Sequence, residues 1–469
     1  MNKSQDALLR YLPSSMRMSG VRTGKTLDHN AFLTAVKDRA ADIADRIPQR
    51  PSRVVIAITD PIDCLVSLFA VWRCGACAVM VNPGIKDMEQ QNVIATTGAA
   101  LWLEDGRITE ITTGVPHPYD MDGAALILMT SGTTGVPKGV THAIAGLCDR
   151  LDANLKAIGH ANLQNTLCTL PLFFGHGLIG NALTALYGGH HLWLLPRVQM
   201  HELARFGETL DKNRITFFSS VPSLWKMVLA TSAPPKQAVK RVHVGSAPLS
   251  LQLWGRICDW CGTEQVFNTF GMTETSNWIS GGSFAEQGCR DGYVGQPWGG
   301  VFRVLRDGTL HSSGKGQIAV KSPGQMLGFW RDPDKTGDTM MDDFMLTGDL
   351  GHLSADQSLT LVGRTKNEIN VAGIKVLAEE VDMLLEGHPD IAEACSFGIP
   401  DPIAGERVAA IVRSTNKALD ALTLIQWCRD NARTDAVPSR IEIVDEIPKN
   451  DRGKIARLDV KDRMVEKWS

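Results

Sequence analysis

The sequence predicts a mixed α/β protein. We expect a large N-terminal lobe of parallel-type sheets with a small barrel-like β subdomain, followed by a small α+β domain. Short β-branched runs alternate with longer amphipathic stretches through the first two-thirds of the chain, which is typical of βαβ units. From about Gly295 to Leu361, short strands are separated by Gly, Pro and Asp turns, which favours an antiparallel or barrel-like subdomain.

The first elements are buried strands that alternate with helices. The strand-like runs are Val54 to Thr59, Ala78 to Val81 and Ala125 to Thr130. The apolar run from Cys64 to Val81 approaches membrane-spanning length, but Arg73 and Gly75 interrupt it. We therefore predict a buried helix followed by a strand, and no membrane span.

The last hundred residues have the pattern of a separate small domain. Helical periodicity covers Ala378 to Leu385 and Leu419 to Arg429, and strand-like runs cover Val408 to Val412 and Ile441 to Val444. We predict a main domain over residues 1–364 and a small C-terminal domain over residues 365–469, whose role as a lid is implied only by the family resemblance given below.

Composition limits the possible partners and the location. The 469 residues include 48 Lys and Arg against 51 Asp and Glu, so a net charge of -3 provides no general attraction for nucleic acid or an acidic membrane. The ten cysteines have no secretory spacing, and no signal peptide is visible, which predicts a cytoplasmic location.

We interpret the two C-x-x-C pairs, Cys74 with Cys77 and Cys258 with Cys261, as buried small side chains rather than zinc or redox sites.

The strongest chemical signal is the segment from Leu128 to Gly139, in which an apolar strand enters a Gly, Ser and Thr loop that ends at Lys138. Such a loop offers backbone N–H groups, hydroxyls and one ammonium to a polyphosphate. It is not a Walker loop, because Lys138 is followed by Gly139 rather than by Ser or Thr. A solvated turn explains the loop alone equally well.

Three further clusters are weak signals singly. Residues 268–275 place an aromatic, a glycine, a hydroxyl and a carboxylate together. An aromatic ring can stack on a nucleotide base, and a carboxylate can hold Mg²⁺ beside phosphate oxygens. Residues 346–351, followed by residues 363–368, combine an Asp in a glycine turn with an Arg fork, which suits ribose hydroxyls. Residues 447–457 form a locally basic segment. The alternatives are ordinary surface or core residues for the first cluster, a turn Asp and a surface Arg for the second, and a solvated helix end for the third.

Taken together and in this order, the four clusters resemble the adenylate-forming superfamily of acyl-CoA synthetases, nonribosomal peptide adenylation domains and beetle luciferases. The resemblance covers nearly the whole chain and implies an AMP-forming acid–thiol ligase. Such an enzyme uses ATP and Mg²⁺ to convert a carboxylic acid to an acyl-adenylate with release of pyrophosphate, and a thiol then displaces AMP. The thiol is that of CoA or, as an alternative, of a carrier-protein phosphopantetheine, and no motif separates the two.

The resemblance also implies roles for particular residues. Catalytic roles fall on Lys454, Thr273 and Glu274, and Glu274 also contacts the metal. The nucleotide-binding set comprises Thr130, Ser131, Gly132, Thr133, Thr134, Gly135, Lys138, Gly245, Ser246, Ala247, Pro248, Asn268, Phe270, Gly271, Asp349 and Arg364. Phe270 falls where the family usually has Tyr, so base stacking is kept and one hydroxyl is lost.

The same resemblance implies domain alternation. Lys366 falls at the hinge position, Lys454 closes over the first half-reaction, and Gly373 then arrives at the thiol channel. A side chain at Gly373 is expected to narrow that passage.

The acid itself is less determined. The implied pocket contains Phe173, Phe174, His176, Val221 and Met272. Amino-acid-activating relatives carry an Asp near the first of these, and residues 172–178 contain none, which argues against an α-amino acid. His176 either contacts a polar substrate tail or packs against aromatic rings. A kinase or NTPase is a further alternative, but this sequence lacks the Gly-Lys-[Ser/Thr] motif that such an enzyme would need. An inactive binding relative is the remaining alternative.

Overall fold

The computed structural model describes residue 8 and residues 11–47, 52–111, 119–130, 138–286, 289–450 and 454–468. The chain divides into two compact units. The first comprises Met1–Val301 with Val320–Met345, and the second comprises Phe302–Ala319 with Leu346–Ser469. None of the helices in the described part of the chain combines the length and hydrophobicity that crossing a bilayer requires.

Strands and helices alternate through the first unit and strands dominate the start of the second. The strands are β1 Arg17–Gly20, β2 Thr26–Asp28, β3 Arg53–Ile56, β4 Cys77–Met80, β5 Leu101–Glu104, β6 Arg107–Glu110, β7 Leu126–Thr130, β8 Lys138–His142, β9 Asn165–Cys168, β10 His191–Leu194, β11 Phe217–Ser220, β12 Arg241–Gly245, β13 Val266–Met272, β14 Asn277–Ser283, β15 Tyr293–Gly295, β16 Val301–Arg306, β17 Thr309–His311, β18 Gly314–Lys321, β19 Gly328–Phe329, β20 Met340–Met341, β21 Phe344–Leu353, β22 Leu359–Arg364, β23 Glu368–Val371, β24 Ile374–Leu377, β25 Ile391–Asp401, β26 Gly405–Ser414 and β27 Arg440–Ile443.

The helices connect these strands. They are α1 His29–Ala44, α2 Pro61–Arg73, α3 Asp87–Thr97, α4 Ile144–Ile158, α5 Thr184–Tyr187, α6 Met200–Leu203, α7 Phe206–Lys212, α8 Pro222–Thr231, α9 Leu251–Cys261, α10 Pro333–Asp338, α11 Ala378–Glu386, α12 Ala421–Asn431 and α13 Arg457–Trp468. A π-helix spans His176–Leu183, and 3₁₀ turns span Thr273–Thr275, Thr365–Asn367 and Thr434–Ala436.

Two mixed sheets organise the first unit. One has the strand order β14-β13-β12-β11-β9-β10-β1-β2, and the other has the order β19-β8-β7-β4-β3-β5-β6. The central strands of both are parallel, as in β9, β11, β12 and β13 of the first sheet and β3, β4, β5 and β7 of the second. The carboxyl ends of such strands meet at one edge of each sheet, where ligands commonly bind in α/β folds.

Local sequence explains the helix α2 that follows β3. The Asp60 side chain accepts hydrogen bonds from the backbone N–H groups of Ile62 and Asp63 at 2.9 Å each, and Pro61 occupies the first turn. The indole of Trp72 donates to the Ala125 carbonyl at 2.8 Å, which fixes the helix against β7. The helix followed by a strand that the apolar run predicts is confirmed.

The second unit contains the predicted barrel-like strands and a small α+β sheet. Strands follow the order β22-β21-β18-β16-β17, and a second sheet has the order β24-β23-β26-β25 with β27 beside β26. Arg457 of α13 pairs with Asp382 of α11 at 2.6 Å, which ties the last helix to this sheet's helical cover. The predicted boundary after Arg364 falls inside this unit and stays a prediction, because compactness does not report which segment moves.

Cysteine behaves as the sequence suggests. Cys74, Cys77, Cys258 and Cys261 are buried free thiols. Burial raises the pKa of Cys77 and of Cys258 to about 12, so both thiols stay protonated and unreactive.

Candidate active site

The predicted adenine loop and acid pocket lie at one edge of the first sheet. Parallel strands β9, β11, β12 and β13 bring their carboxyl ends together there. Ser246, Ala247 and Pro248 follow β12, Val221 follows β11, and Met272 ends β13. Chain order alone separates these residues by up to 51 positions, and the sheet places them side by side.

Gly245 and Ser246 form a tight turn. A Cβ at Gly245 would lie 2.4 Å from the Thr269 hydroxyl oxygen, so a larger residue does not fit without displacing β13. Ser246 has a φ of 68°, a left-handed conformation that turns the loop away from the strand. The sequence Gly-Ser-Ala-Pro therefore exposes three successive residues at the sheet edge.

The segment with Glu274 is a strained reversal between β13 and β14. The ladder is irregular between Phe270 and Gly271, and a Cβ at Gly271 would lie 2.0 Å from the Asn277 carbonyl oxygen. Thr273–Thr275 forms a single 3₁₀ turn, and Met326 donates its backbone N–H to the Glu274 carbonyl at 2.8 Å. This arrangement fixes the backbone of Thr273 and Glu274.

Two of the predicted nucleotide contacts are used for packing. Phe270 is 7% exposed, and Asn268 is 4% exposed and donates its side-chain amide to the Tyr293 carbonyl at 2.9 Å. Asn268 thus anchors β15 beside β13. The predicted roles of both residues toward the base stay predictions.

His142 is a site residue that the sequence analysis missed. Its Nδ1 lies 2.9 Å from the Ser276 hydroxyl, directly after the Glu274 turn. Burial lowers the pKa of His142 to about 4, and a backbone hydrogen bond with Thr273 only partly opposes this. Lys138, Val140 and His142 alternate on one face of β8, and this period-two spacing is the signal that could have found it.

A pH dependence of stability follows for His142. Its ring stays neutral in the folded state down to about pH 4, whereas in the unfolded state it takes up a proton near the ordinary histidine pKa of 6.5. Between these values the unfolded state binds more protons, so stability falls as pH decreases from 6.5 toward 4. We expect this residue to contribute about 2 kcal/mol of that loss at about pH 5.

Urea denaturation of wild type and of His142→Asn at about pH 7 and about pH 5 measures this loss. The variant is expected to show a smaller difference between the two pH values, by about 2 kcal/mol. His201→Gln, at an exposed position in α6, serves as the control and should match wild type. An equal pH dependence in His142→Asn would contradict the assignment.

His176 lies at the start of the π-helix and connects two strand ends. Its Nδ1 lies 2.8 Å from the Ser246 hydroxyl and its Nε2 lies 2.5 Å from the Ser219 hydroxyl. The ring is 9% exposed and meets Trp278 edge-on with centroids 5.4 Å apart. Both ring nitrogens are therefore engaged by serine hydroxyls, one of which belongs to the adenine loop.

The remaining pocket residues are aromatic or apolar. Phe173 and Phe174 lie with ring centroids 4.4 Å apart, and the guanidinium of Arg197 lies 5.5 Å above the Phe173 ring. Val221 immediately precedes α8, and Met272 immediately precedes the Glu274 turn.

The predicted phosphate loop is described only at its two ends. Thr130 ends β7 and pairs with Lys138 across the ladder, and its hydroxyl donates to the Lys138 carbonyl at 3.3 Å. The predicted residues Ser131, Gly132, Thr133, Thr134 and Gly135 lie outside the described residues.

Lys335 is a second residue that sequence analysis missed. The adjacent ammonium group of Lys335, and then burial, lowers the pKa of Lys138, so the two cationic groups lie close together. The Lys335 ammonium lies 4.9 Å above the Phe329 ring in the segment that pairs with β8. No motif links the two residues in the sequence, since they are far apart in the chain. A pair of adjacent cations is suited to a polyphosphate anion.

The second unit brings Asp349, Arg364 and Lys454 together. Arg364 Nε lies 2.7 Å from Asp349 Oδ1, and the Asp349 side chain is 6% exposed. Burial raises the pKa of Asp349, while Arg364 and Lys454 act in the opposite direction. The other carboxylate oxygen, Oδ2, is buried and has no hydrogen-bond donor among the described residues. An orphaned buried acceptor of this kind is suited to a ligand hydroxyl.

The predicted hinge and channel residues lie in the same unit. Burial, and then the positive charge of Arg364, lowers the pKa of Lys366. Gly373 has a φ of 87°, and a Cβ there would meet no atom of the described structure within 4 Å. In this structure the backbone conformation, rather than crowding, favours glycine at Gly373, and its place in a thiol channel stays a prediction.

Comparison with known proteins agrees with these features. The family model for AMP-binding enzymes matches residues 104–330, and the model for their C-terminal domain matches residues 380–454. Oxalate–CoA ligase of Arabidopsis thaliana is 30% identical over 77% of this chain and 71% of its own length. The 2-succinylbenzoate–CoA ligase of Geobacillus kaustophilus is 26% identical over 88% of each chain.

A solved structure has the same fold. ATP-bound MatB from Rhodopseudomonas palustris superposes with a TM-score of 0.86 at 22% identity, over 100% of both chains. The fold and both family models define an adenylate-forming enzyme. The chain belongs to the family of AMP-binding enzymes, as the four sequence clusters predict.

Proposed function

We propose that this protein is an AMP-forming acid–CoA ligase. A carboxylate oxygen of the acid attacks the α-phosphorus of ATP, the bond to pyrophosphate breaks, and an acyl-adenylate forms. The CoA thiol, having lost its proton, then attacks the acyl carbon, and AMP leaves. Family membership and the CoA ligases among the relatives support both half-reactions.

One observation in the structure carries the nucleotide part of this proposal. Asp349 is buried beside Arg364 with one carboxylate oxygen lacking a donor among the described residues. Leaving such an atom unsatisfied costs about 1–3 kcal/mol, so a site of this kind is expected to gain a partner from a ligand. A ribose hydroxyl supplies that donor.

The first half-reaction brings an anionic acid to an anionic triphosphate, and local cations must offset the repulsion. We assign Lys138 to the pyrophosphate, with Lys335 beside it, because the two ammonium groups adjoin at the start of β8. Thr273 and Glu274 lie on a turn whose backbone is fixed by hydrogen bonds and a bulge.

Mg²⁺ is assigned to Glu274. No group of three or more His, Cys, Asp or Glu side chains in the described residues is placed to hold a metal ion. A single carboxylate fits Mg²⁺, since that ion is commonly held by one or two carboxylates together with substrate phosphates. When bound, the ion would neutralise phosphate charge.

The second unit supplies the mobile part of the mechanism. Lys454 reaches the reacting groups in the first half-reaction and leaves in the second, with rotation at Lys366 and with Gly373 at the thiol channel. Burial raises the pKa of Asp349, and the nearby Lys454 ammonium partly opposes that rise, a proximity that is consistent with the first of these states.

The acid is proposed to be small and to carry a second polar group. Relatives of this chain act on oxalate and on 2-succinylbenzoate, both of which carry two carboxylates. Arg197, stacked on Phe173, is a described cation beside the predicted pocket and is our candidate for the second carboxylate. Residues 172–178 contain no acidic side chain that would select an α-ammonium group.

The geometry favours a positioning role for His176 rather than direct contact with the acid. Both of its nitrogens are engaged by Ser219 and Ser246. We therefore expect His176→Ala to lower kcat/KM equally for a monocarboxylic and a dicarboxylic acid of equal length, and to raise the KM for ATP. A selective loss for the dicarboxylic acid would show that His176 contacts the substrate. His160→Ala, at an exposed position, is the control.

Acid-dependent ATP–pyrophosphate exchange tests the whole proposal. A panel of aliphatic, aromatic and dicarboxylic acids is assayed first for exchange, and then for thioester formation with CoA or with a phosphopantetheinylated carrier protein. Exchange followed by acyl-CoA formation is the expected result. Exchange with transfer to carrier protein alone would replace CoA as the acceptor, and absence of exchange for every acid would end the proposal. A cytoplasmic location stays a prediction of the sequence.

A further inference from the structure

A cavity of about 430 Å³ lies in the first unit, apart from the candidate active-site residues. Gly20, Leu194 and Glu104 line it, and each is the last residue of its strand, β1, β10 and β5 respectively. The cavity therefore lies at the carboxyl ends of parallel strands from both sheets, where α/β folds commonly bind ligands. Its volume is within the range of small-molecule sites.

The lining is more negative than positive. Four carboxylates line the cavity against two guanidinium groups, and these residues are Asp60, Asp63, Glu104, Asp105, Arg22 and Arg39. The positive charge of Arg22 is already neutralised, because it pairs with Glu202 at 2.7 Å, outside the lining. The ammonium of Lys25 lies 2.8 Å from Asp63 Oδ1, so it offsets the charge of that carboxylate and leaves the other three.

The buried thiol of Cys64 lies near these carboxylates. Burial raises the pKa of Cys64 to about 12, with the carboxylates of Asp60, Asp105 and Asp63 acting in the same direction. Two of the carboxylates are also held in place. Asp60 caps α2, and Asp105 accepts the Thr59 backbone N–H at 2.9 Å. These two carboxylates are therefore fixed parts of the cavity wall.

Apolar atoms complete the lining. Ile58 is 6% exposed and Leu194 is 2% exposed, and Pro61 and Pro196 lie beside them. Carboxylates and an apolar wall therefore line the same cavity. We propose that this cavity binds a small organic amine, with its ammonium group at the carboxylates and its hydrocarbon stem against the apolar wall.

The cavity wall is continuous with the predicted acid pocket. Arg22 donates to the carbonyls of Pro196 and Arg197 at 2.9 and 2.8 Å. Arg197 in turn lies over the Phe173 ring and has a φ of 56°, a conformation that depends on its surroundings. A ligand seated against Leu194 and Pro196 thus acts on the residue that covers Phe173. This coupling rests on the proposed function, and binding to the cavity does not.

Isothermal titration calorimetry of the full chain with 1,5-diaminopentane tests the site. We expect saturable binding of one molecule, and binding at least tenfold weaker for Glu104→Gln and for Asp63→Asn. Glu110→Gln, on β6 of the same hairpin but outside the cavity, is the matched control and should bind as wild type. The uncharged 1,5-pentanediol should not bind. No saturable binding, equal weakening by all three variants, or equal binding of the diol would overturn the proposal.

The coupling has its own readout. In the exchange assay, 1,5-diaminopentane is expected to change the KM for the acid at least twofold in wild type and to leave Glu104→Gln unaffected. Binding with an unchanged KM would remove the coupling and leave the site. Absence of all exchange would count against the proposed function, and calorimetry would still decide whether the cavity binds the amine.

Discussion

Lys454→Ala is expected to reduce acid-dependent ATP–pyrophosphate exchange at least 100-fold and to leave thioester formation from supplied acyl-adenylate within about threefold of wild type. The reason is electrostatic. Joining a carboxylate to a triphosphate brings two anions together, and one preorganised donor is typically worth about 3 kcal/mol of barrier. The second half-reaction has already lost pyrophosphate, so it does not need this cation.

The control for this variant is another lysine in the same C-terminal segment. Lys461 of α13 pairs with Glu406 at 3.3 Å and has no assigned role, so Lys461→Ala should keep both half-reactions. Unchanged exchange in Lys454→Ala would refute the role of Lys454. Equal loss of both half-reactions would show that the lysine supports the structure rather than the first step.

Asp349→Asn is expected to weaken ATP binding roughly 10- to 100-fold with little change in melting temperature. A hydrogen bond to a charged group is worth about 1.5–3 kcal/mol, which sets this range. Burial raises the pKa of Asp349, which means that the folded protein disfavours the charged carboxylate. We therefore expect the fold to tolerate the neutral side chain of Asn, which has the same shape. Equilibrium binding of ATP measures the loss of affinity, and differential scanning calorimetry measures the melting temperature.

Deoxynucleotides identify the contact itself. Wild type should lose affinity for either 2′-deoxy-ATP or 3′-deoxy-ATP, and Asp349→Asn should lose little further affinity for the same analogue, because the two changes remove one interaction. Asp356→Asn, in the turn of the same β21–β22 hairpin, is the control. Additive losses from the variant and both analogues would show that Asp349 does not contact the ribose.

The sequence predicted the strands and helices well where the pattern is regular. The run Ala378 to Leu385 lies in helix α11, and the apolar run from Cys64 forms most of helix α2 and then β4. These elements follow from hydrophobic periodicity and from local capping by residues such as Asp60, which are encoded within a few positions. The family followed from four motifs in a fixed order.

Residues whose roles depend on distant partners were not predictable. Lys335 lies next to Lys138 only because strand β19, which precedes Lys335, pairs with β8. His142 lies next to the Glu274 turn because the fold places its ring beside Ser276. His176 allowed two interpretations in the sequence, and its bonds to Ser219 and Ser246, which favour a positioning role, appear only in the structure. The cavity beside Glu104 has no motif at all, since its wall is assembled from the ends of separate strands.

The sequence by itself therefore determined the family and the fold class, and it predicted the residue types that meet the nucleotide, because each depends on short stretches of chain. Tertiary structure alone decided which side chains are neighbours, how far burial shifts their pKa values, and which buried oxygen of Asp349 lacks a partner in the described residues. The physical reason is that solvation and charge interaction depend on distance in space, and the sheets bring together residues that are far apart in the chain.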